Sequence, residues 1–351
     1  MKILIAPLNW GLGHATRCIP LVRQYLEQGD EVVLGGDGES LLLLQRHFPQ
    51  LRVIQLPSLE LRYAANDQQR GFYLRAIPAL LRFTIADHYY LRQQLAIEHF
   101  DLIISDNRFG LFTRQTRCVY ITHQVYMRLP RRLRIFQPLA RAIHACVFKR
   151  YHEVWVPDFA NSENSLAGEL CHGGCFDTYV KYIGPLSRFT SSEGNPKELR
   201  RNSEGAPKRN QTLVAENSEY SVVAILSGLE PQRSIFEQAI LERYANTPDK
   251  VLIVRGKVAE AQTIISRNNI TMVASLSDQA LLEAMEKATT IIARSGYSTI
   301  MDLAVLGLLH KAELHPTPGQ SEQEYLASLH STPSIIGIFG CSCPTGASMT
   351  G

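Results

Sequence analysis

The chain has 351 residues, 45% hydrophobic and 20% charged, with 36 Lys and Arg against 33 Asp and Glu for a net charge of +3. These values exclude a disordered, collagenous or disulfide-scaffold chain, and at roughly 100–200 residues per domain the length predicts two domains with a cleft between them. The charge is too small to suggest a nucleic-acid partner, no apolar run approaches the ~20 residues of a membrane span, and the seven scattered cysteines fit reduced thiols in the cytoplasm better than a bridge framework.

Short, nearly continuous apolar strands alternating with helices predict parallel sheets covered on both faces. In the first half the strands are expected at 2–6, 31–34, 52–55, 101–105, 118–121, 153–156 and 180–183, with the main helices at 15–28 and 71–98. Residues 188–219 are rich in Ser, Asn, Glu, Lys and Arg and poor in large apolar side chains, so they read as a linker or flexible loop. In the second half strands are expected at 221–227, 250–255, 271–274 and 289–293, with helices at 233–244, 278–287 and 298–306. The fold class is therefore α/β: two Rossmann-like, doubly wound parallel-sheet domains, 1–187 and 220–330, facing a cleft.

In such sheets ligands bind beyond the carboxyl ends of the strands. The segment after the first strand, Pro7 to Arg17, places Gly11, Gly13 and His14 at the opening of a helix, where free amides favour an anion by about 0.3–1 kcal/mol. Three readings stay open for it. A dinucleotide fingerprint would use Asp37 as its acid, but Thr16 stands at the third glycine position. A plain glycine turn would use His14 as a helix cap. A cleft site would use His14 as a base or phosphate contact. In the second half Ser227-Gly228 with Arg233, Arg294-Ser295-Gly296 leading to Ser298, Thr299 and Asp302, and the loop Pro316 to Tyr325 each follow or precede a predicted element in the same way.

Taken in order, Gly11-Leu12-Gly13-His14 with Pro20, Ser227-Gly228 with Arg233, the Arg294–Asp302 element and the Gln320–Tyr325 loop resemble the GT-B glycosyltransferases of the family 28, MurG-like type. Ser105 to Gly110 and Ile121 to Gln124 are closer to an uncharacterised branch of that family, which leaves the acceptor open. The resemblance implies an inverting, metal-independent transfer of N-acetylglucosamine or another hexose from a UDP-sugar to an acceptor hydroxyl, with a lipid-linked acceptor as one expectation. It implies a donor held by Ser227, Gly228, Arg233, Arg294, Ser295, Gly296, Ser298, Thr299, Asp302, Gln320, Gln323 and Glu324, and an acceptor side built from Gly11, Gly13, Asp106, Asn107 and Arg108. His14 is the first candidate for the base and His123 the second, because histidine titrates near neutrality. Alternatives are a non-catalytic nucleotide-sugar-binding protein and a nucleotide-sugar epimerase of the same fold. No cofactor is expected, and Cys171 with Cys175 lacks a second pair for zinc.

Residues 128–150 hold seven basic side chains and no acid, interleaved with Leu129, Leu133, Ile135, Phe136, Leu139, Ile143 and Val147. The segment reads equally as a solvated helix face or as an amphipathic cationic surface for peripheral contact with the inner face of an anionic membrane. Towards the C-terminus, Glu313 and His315 interrupt what should be a buried strand, and 331–351 reads as an atypical tail. The second domain is accordingly expected to be incomplete and to lack a closing helix.

Overall fold

The computed structural model describes residues 1–59, 70–129, 131–174, 176, 179–190, 219–260 and 264–330. Most of the expected linker and all of the expected tail lie outside them, as does Cys175.

The first half forms a seven-stranded, wholly parallel sheet in the order β3-β2-β1-β4-β5-β6-β7. Its strands are β1 (Lys2–Pro7), β2 (Glu31–Gly36), β3 (Arg52–Gln55), β4 (Leu102–Asp106), β5 (Arg117–Ile121), β6 (Glu153–Val156) and β7 (Val180–Tyr182). Ile3, Leu4, Ile5, Ile103, Ile104 and Val119 are buried, as a sheet covered on both faces requires. The connecting helices are α1 (Gly13–Glu27), α2 (Gly38–His47), α3 (Arg70–Ile97) and α4 (Gln137–Phe148). Right-handed crossovers put α1 and α2 on one face. The winding direction reverses after β3, so α3 and α4 share the other face.

The second half forms a six-stranded sheet, β10-β11-β9-β8-β12-β13, parallel except for the edge strand β10. Its strands are β8 (Val222–Ile225), β9 (Val251–Val254), β10 (Ile264–Arg267), β11 (Ile270–Val273), β12 (Thr290–Arg294) and β13 (Ala312–His315), with helices α5 (Gln232–Tyr244), α6 (Asp278–Lys287), α7 (Tyr297–Val305) and α8 (Ser321–His330). β10 escapes sequence reading because all four of its residues are exposed on the sheet edge. The interruption expected at Glu313 does not occur. β13 pairs in parallel with β12, and Glu313 is buried because Arg243 (2.5 Å) and His315 (2.9 Å) donate to its Oε1. Burial alone would raise that carboxyl, but the two donors hold it at about 2.

The winding of each sheet reverses at one pair of neighbouring strands, β1 and β4 in the first and β8 and β12 in the second. These switch points open crevices at the carboxyl ends of the strands. They face each other across the domain boundary. The Ser298 hydroxyl donates to the Gly13 carbonyl at 2.9 Å, and a Cβ added at Gly13 would lie 2.9 Å from that hydroxyl. Gly11, at φ +83°, brings the first loop against the backbone of Gly228, which a Cβ on Gly11 would meet at 3.6 Å. Glycine is needed here for close approach as well as for conformation.

The core of the first domain continues into the second through Tyr297, Ile300, Met301 and Leu326. α8 crosses the boundary: Ser321 Oγ donates to the Arg128 carbonyl at 2.7 Å, the Glu169 amide donates to the Tyr325 hydroxyl at 2.9 Å, and His330 Nε2 donates to the Leu166 carbonyl at 2.7 Å. A segment from the second half thus returns to the first, where the sequence led us to expect none.

Arg108, an expected acceptor contact, is instead fully buried in the first domain. It pairs with Asp37 at 2.8 Å and Asp87 at 2.7 Å, donates to the Pro57 carbonyl at 2.6 Å and stacks over Phe83 at 4.8 Å. The same contacts remove Asp37 from any dinucleotide role. Arg108→Met would leave two buried carboxylates without their cation, a loss of about 3–5 kcal/mol. The midpoint of urea unfolding is expected to fall accordingly, and an unchanged midpoint would contradict this role.

Candidate active site

The crevice between β1 and β4 is organised by a buried ion pair. Arg17, one turn into α1 and 1% exposed, donates through Nε to Asp106 Oδ2 at 2.5 Å and through Nη2 to Asp106 Oδ1; Asp106, the last residue of β4, is fully buried. Burial by itself would raise the Asp106 carboxyl, but Arg17 and His14 hold it well below the ordinary carboxylate range. A carboxylate that is ionised here can only accept hydrogen bonds.

His14 Nδ1 lies 2.8 Å from Asp106 Oδ1 and 2.8 Å from Arg17 Nη2. Nη2 has a second N–H that a bare Nδ1 could accept, but a bare Nδ1 would set its lone pair against the ionised Oδ1 2.8 Å away, so we assign the imidazole proton to Nδ1. Nε2 is then bare, and among the described residues it makes no hydrogen bond. The ring is 15% exposed, open enough for an incoming hydroxyl. Burial lowers the His14 pKa from 6.5; Asp106 opposes this and Arg17 adds to it. The neutral, proton-accepting form therefore prevails at pH 7.

His123, after β5, is placed differently. Arg17 Nη1 donates to its Nδ1 at 3.0 Å, because an arginine can only donate, and its Nε2 donates to Glu322 Oε1 at 2.6 Å. Its ring stacks on Tyr297 with centroids 4.3 Å apart, and its carbonyl accepts from the Cys171 thiol at 2.9 Å. With both nitrogens engaged, His123 supports the site and lacks the free lone pair of a base.

The expected donor residues divide into those that face the crevice and those that do not. Gly228 and Gly296 have nothing within 4 Å of an added Cβ, so the backbone there borders open space. Gly296 is the N-cap of α7, and no side chain caps that end; the Thr299 amide donates to the Gly296 carbonyl at 3.1 Å, which leaves the Tyr297 and Ser298 amides for another acceptor. Thr299 is half-buried in the first turn of α7. Ser227 is also half-buried, in the loop before α5, whose Arg233 bonds Glu230, the Gly256 carbonyl at 3.2 Å and, across the boundary, Glu39 at 3.5 Å. Gln320 is half-buried at the start of α8.

Other expectations need correction. Arg294 is buried: it donates to the carbonyls of Pro316 (2.8 Å) and Gln232 (3.1 Å) and lies 4.1 Å from the Phe236 ring centre, with burial lowering it to about 10. Ser295 donates to the Gln323 carbonyl at 2.8 Å, and Gln323 Oε1 accepts from the Thr317 amide at 2.8 Å, so both brace the loop before α8. Asp302 accepts from the Ser187 hydroxyl at 2.6 Å and lies 3.5 Å from Arg188, in the chain segment that joins the domains; burial raises it to about 6. It is closed to a ribose. Glu324 is exposed, and two positions earlier on the same helix Glu322 turns inward instead, about 200° around the helix. Asn107, at φ +57°, accepts from the Tyr120 hydroxyl at 2.9 Å.

Sequence reading passed over Arg17, Gln124 and Glu322 as site residues. Arg17 had a signal, its i+3 spacing from His14 on a helix opening at the cleft. Glu322 had none, since its partners lie in the other domain.

No family model matches this sequence, and no curated protein matches it. Solved structures do. A glycosyltransferase of kitacinnamycin superposes with a TM-score of 0.54 at 14% identity, covering 95% of this chain and 92% of its own. The spinosyn rhamnosyltransferase SpnG, solved with thymidine diphosphate, gives 0.56 at 13%, covering 94% and 84%. Phytolacca americana UGT2, solved with UDP-2-fluoroglucose and pterostilbene, gives 0.53 at 13%, covering 93% and 82%. The fold is GT-B. At these identities the likeness extends to architecture, two parallel-sheet domains with opposed switch points. Among the described residues of this GT-B chain no group of three or more His, Cys, Asp and Glu side chains is arranged to hold a metal ion.

The His14 imidazole is expected to titrate below pH 6.5, and in Asp106→Asn the midpoint is expected to fall further because the carboxylate that favours the imidazolium is gone. Proton NMR of the His14 ring measures both midpoints; a rise in the variant would contradict the geometry.

Proposed function

We propose that this chain is an inverting, metal-independent glycosyltransferase. His14 Nε2 takes the proton of an acceptor hydroxyl as that oxygen attacks the anomeric carbon of a nucleotide-sugar. The bond from that carbon to the diphosphate breaks, and the nucleoside diphosphate leaves with the electron pair. The observation that carries this reading is the bare Nε2 of His14, held by Asp106 at 2.8 Å through Nδ1, at the loop whose Gly13 touches the first turn of α7. One base acting in a single displacement gives inversion.

The diphosphate is assigned to the uncapped amide end of α7 around Gly296, Ser298 and Thr299, where the helix dipole favours an anion. Arg233 adds the nearby cation, since its 3.5 Å contact with Glu39 is easily exchanged for a phosphate oxygen. Gln320 and the Nε2 of Gln323 suit sugar hydroxyls. We take the donor to be a UDP-hexose, N-acetylglucosamine among the candidates, on the motif resemblance and on the nucleotides that the SpnG and UGT2 structures hold. Asn107 and the first glycine loop, Gly11 to Gly13, border the acceptor side.

The acceptor is proposed to be lipid-linked because of the outer face of the first domain. On α3, Phe83, Asp87 and Leu91 turn to the sheet while Ile77, Leu81, Ile85 and Tyr89 stand at 60–67% exposure, four residues apart. On the same sheet face Ile135, Phe136, Leu139 and Ile143 are 55–81% exposed around α4. Arg82, Arg92, Arg134, Arg141 and Lys149 are exposed among them, and the one acid of 77–97, Asp87, is buried against Arg108. Among the described residues this face is apolar and cationic without exposed carboxylates, which complements an anionic bilayer surface. No helix among the described residues is long and apolar enough to cross a membrane, so this would be peripheral contact.

Two measurements test these assignments. With UDP- and TDP-sugars and hydroxyl acceptors, His14→Ala is expected to lower transfer by about 10²–10⁴-fold. UDP affinity by calorimetry should stay within a factor of about three. Undiminished transfer in the variant would remove His14 from the chemistry. In sedimentation with phosphatidylglycerol vesicles, the pairs Leu81→Ser/Ile85→Ser and Leu139→Ser/Ile143→Ser are each expected to reduce binding about tenfold. Equal binding by wild type and variants would dismiss the membrane face.

A further inference from the structure

Arg233, assigned above to the donor diphosphate, is held on three sides. Glu230 accepts from its Nε at 3.1 Å and lies 3.0 Å from its Nη2, the Gly256 carbonyl accepts from Nη1 at 3.2 Å, and Glu39 Oε2 stands 3.5 Å from the same Nη1. Glu230 and Gly256 belong to the second domain. Glu39 comes from the first, in the first turn of α2. Its side chain is 35% exposed, against 11% for Arg233. A contact this long and this open adds little to the joining of the domains.

The local charge is balanced without it. At the carboxyl ends of β8 and β9, Arg233 pairs with Glu230, Arg255 with Glu237 at 2.9 Å and Lys257 with Glu260 at 2.6 Å, so among the described residues these three cations have three carboxylates of their own domain. Glu39 is a fourth. It also lies near the place assigned to the diphosphate. Its neighbour Ser40 donates to the Gly11 carbonyl at 3.3 Å, Gly11 lies against Gly228, and Gly13 of the same loop accepts from Ser298 in the first turn of α7. A phosphate oxygen that takes the side of Nη1 now facing Glu39 therefore has that carboxylate beside it.

The geometry points to Glu39 as a residue that sets specificity at the donor site by opposing the extra charge of the released nucleoside diphosphate; this rests on the reading of Arg233 and the α7 end given above. In a nucleotide-sugar the terminal phosphate is esterified by the sugar, and each phosphate carries a single negative charge. After transfer that phosphate is a free end whose second ionisation lies at about pH 6, so near pH 7 the product gains most of one further charge. Arg233 and the amide end of α7 attract both forms, and Glu39 repels the more highly charged one more strongly. A like charge at the rim thus separates two ligands that share the whole nucleotide. The consequence falls on the product, which is held less tightly and leaves. Glu39 touches no reacting atom, so this role is separate from the chemistry assigned to His14.

The test is calorimetry on the full chain with UDP and with its β-methyl ester, two ligands that share the nucleotide and differ in the terminal charge. The variants are Glu39→Gln, Glu39→Asp and Arg233→Met. Glu39→Gln keeps the shape of the side chain and leaves Arg233 its bonds to Glu230 and the Gly256 carbonyl, so the fold is retained. It is expected to tighten UDP about threefold relative to the ester, a gain that shrinks as ionic strength rises past about 0.15 M. Glu39→Asp keeps the charge and should hold the ratio of the two affinities near that of the wild type. Equal tightening of both ligands by Glu39→Gln would make Glu39 a competitor for Arg233 and no more, and overturns the proposal. So does a loss of affinity, which would make it a ligand contact, and so does a ratio that moves as far in Glu39→Asp as in Glu39→Gln. If Arg233→Met weakens both ligands while Glu39→Gln leaves their ratio unchanged, the donor site stands and the role of Glu39 falls. If the wild type binds neither ligand, or Arg233→Met leaves both affinities unchanged, the donor assignment itself fails and the proposal falls with it.

Discussion

The buried pair of Arg17 and Asp106 is the interaction on which the rest of this site depends. Two opposite charges in a dry crevice are tolerated only while each satisfies the other, and removing one of such a pair is costly in a way that removing a surface ion pair is not. Here the pair has a further effect. Asp106 remains ionised because Arg17 is present, and an ionised carboxylate favours a proton on His14 Nδ1. Arg17 in turn is oriented by His123, so the cation that neutralises Asp106 also connects the loops after β1, β4 and β5. One ion pair supplies electrostatic balance, loop geometry and the state of the candidate base.

The second constraint is steric. Each sheet has its own switch point, and a crevice at one of them is an ordinary feature of doubly wound folds. What makes a single site from the two is the closeness of their loops, and that is a property of glycine. Gly13 stands where any side chain would collide with the Ser298 hydroxyl, and Gly11 lies against Gly228. The candidate base and the amide end of α7 come within one loop of each other because nothing separates the backbones.

Most of the strands were legible from the sequence because a parallel strand buried on both faces is a continuous apolar run, as Lys2–Pro7 and Leu102–Asp106 are. The misread elements each break that rule for a physical reason. β10 carries its two isoleucines on an exposed edge, and β13 buries a glutamate that looks disqualifying until Arg243 arrives from α5 to bond it. The same blindness to partners explains the misassigned side chains. Arg108, Arg294 and Asp302 read as ligand contacts because charged residues near strand ends usually meet solvent or substrate. In the fold each is buried by partners distant in the chain: Asp37 and Asp87, the Pro316 and Gln232 carbonyls, and Ser187.

The sequence by itself determined the class of fold, the two glycine loops and His14 at the start of the first long helix, since these follow from periodicity and backbone freedom within a few residues. It also carried the exposed cationic segment, because charge along a helix is a local property. Only the tertiary structure decided which nitrogen of His14 holds the proton, that His123 is occupied on both sides, and that Glu322 rather than Glu324 turns into the site. Those outcomes are set by hydrogen bonds between residues 89 to 199 positions apart, some of them in different domains. A proton's place depends on the donors and acceptors that surround it, and the chain order does not contain that neighbourhood until the two sheets have been brought face to face.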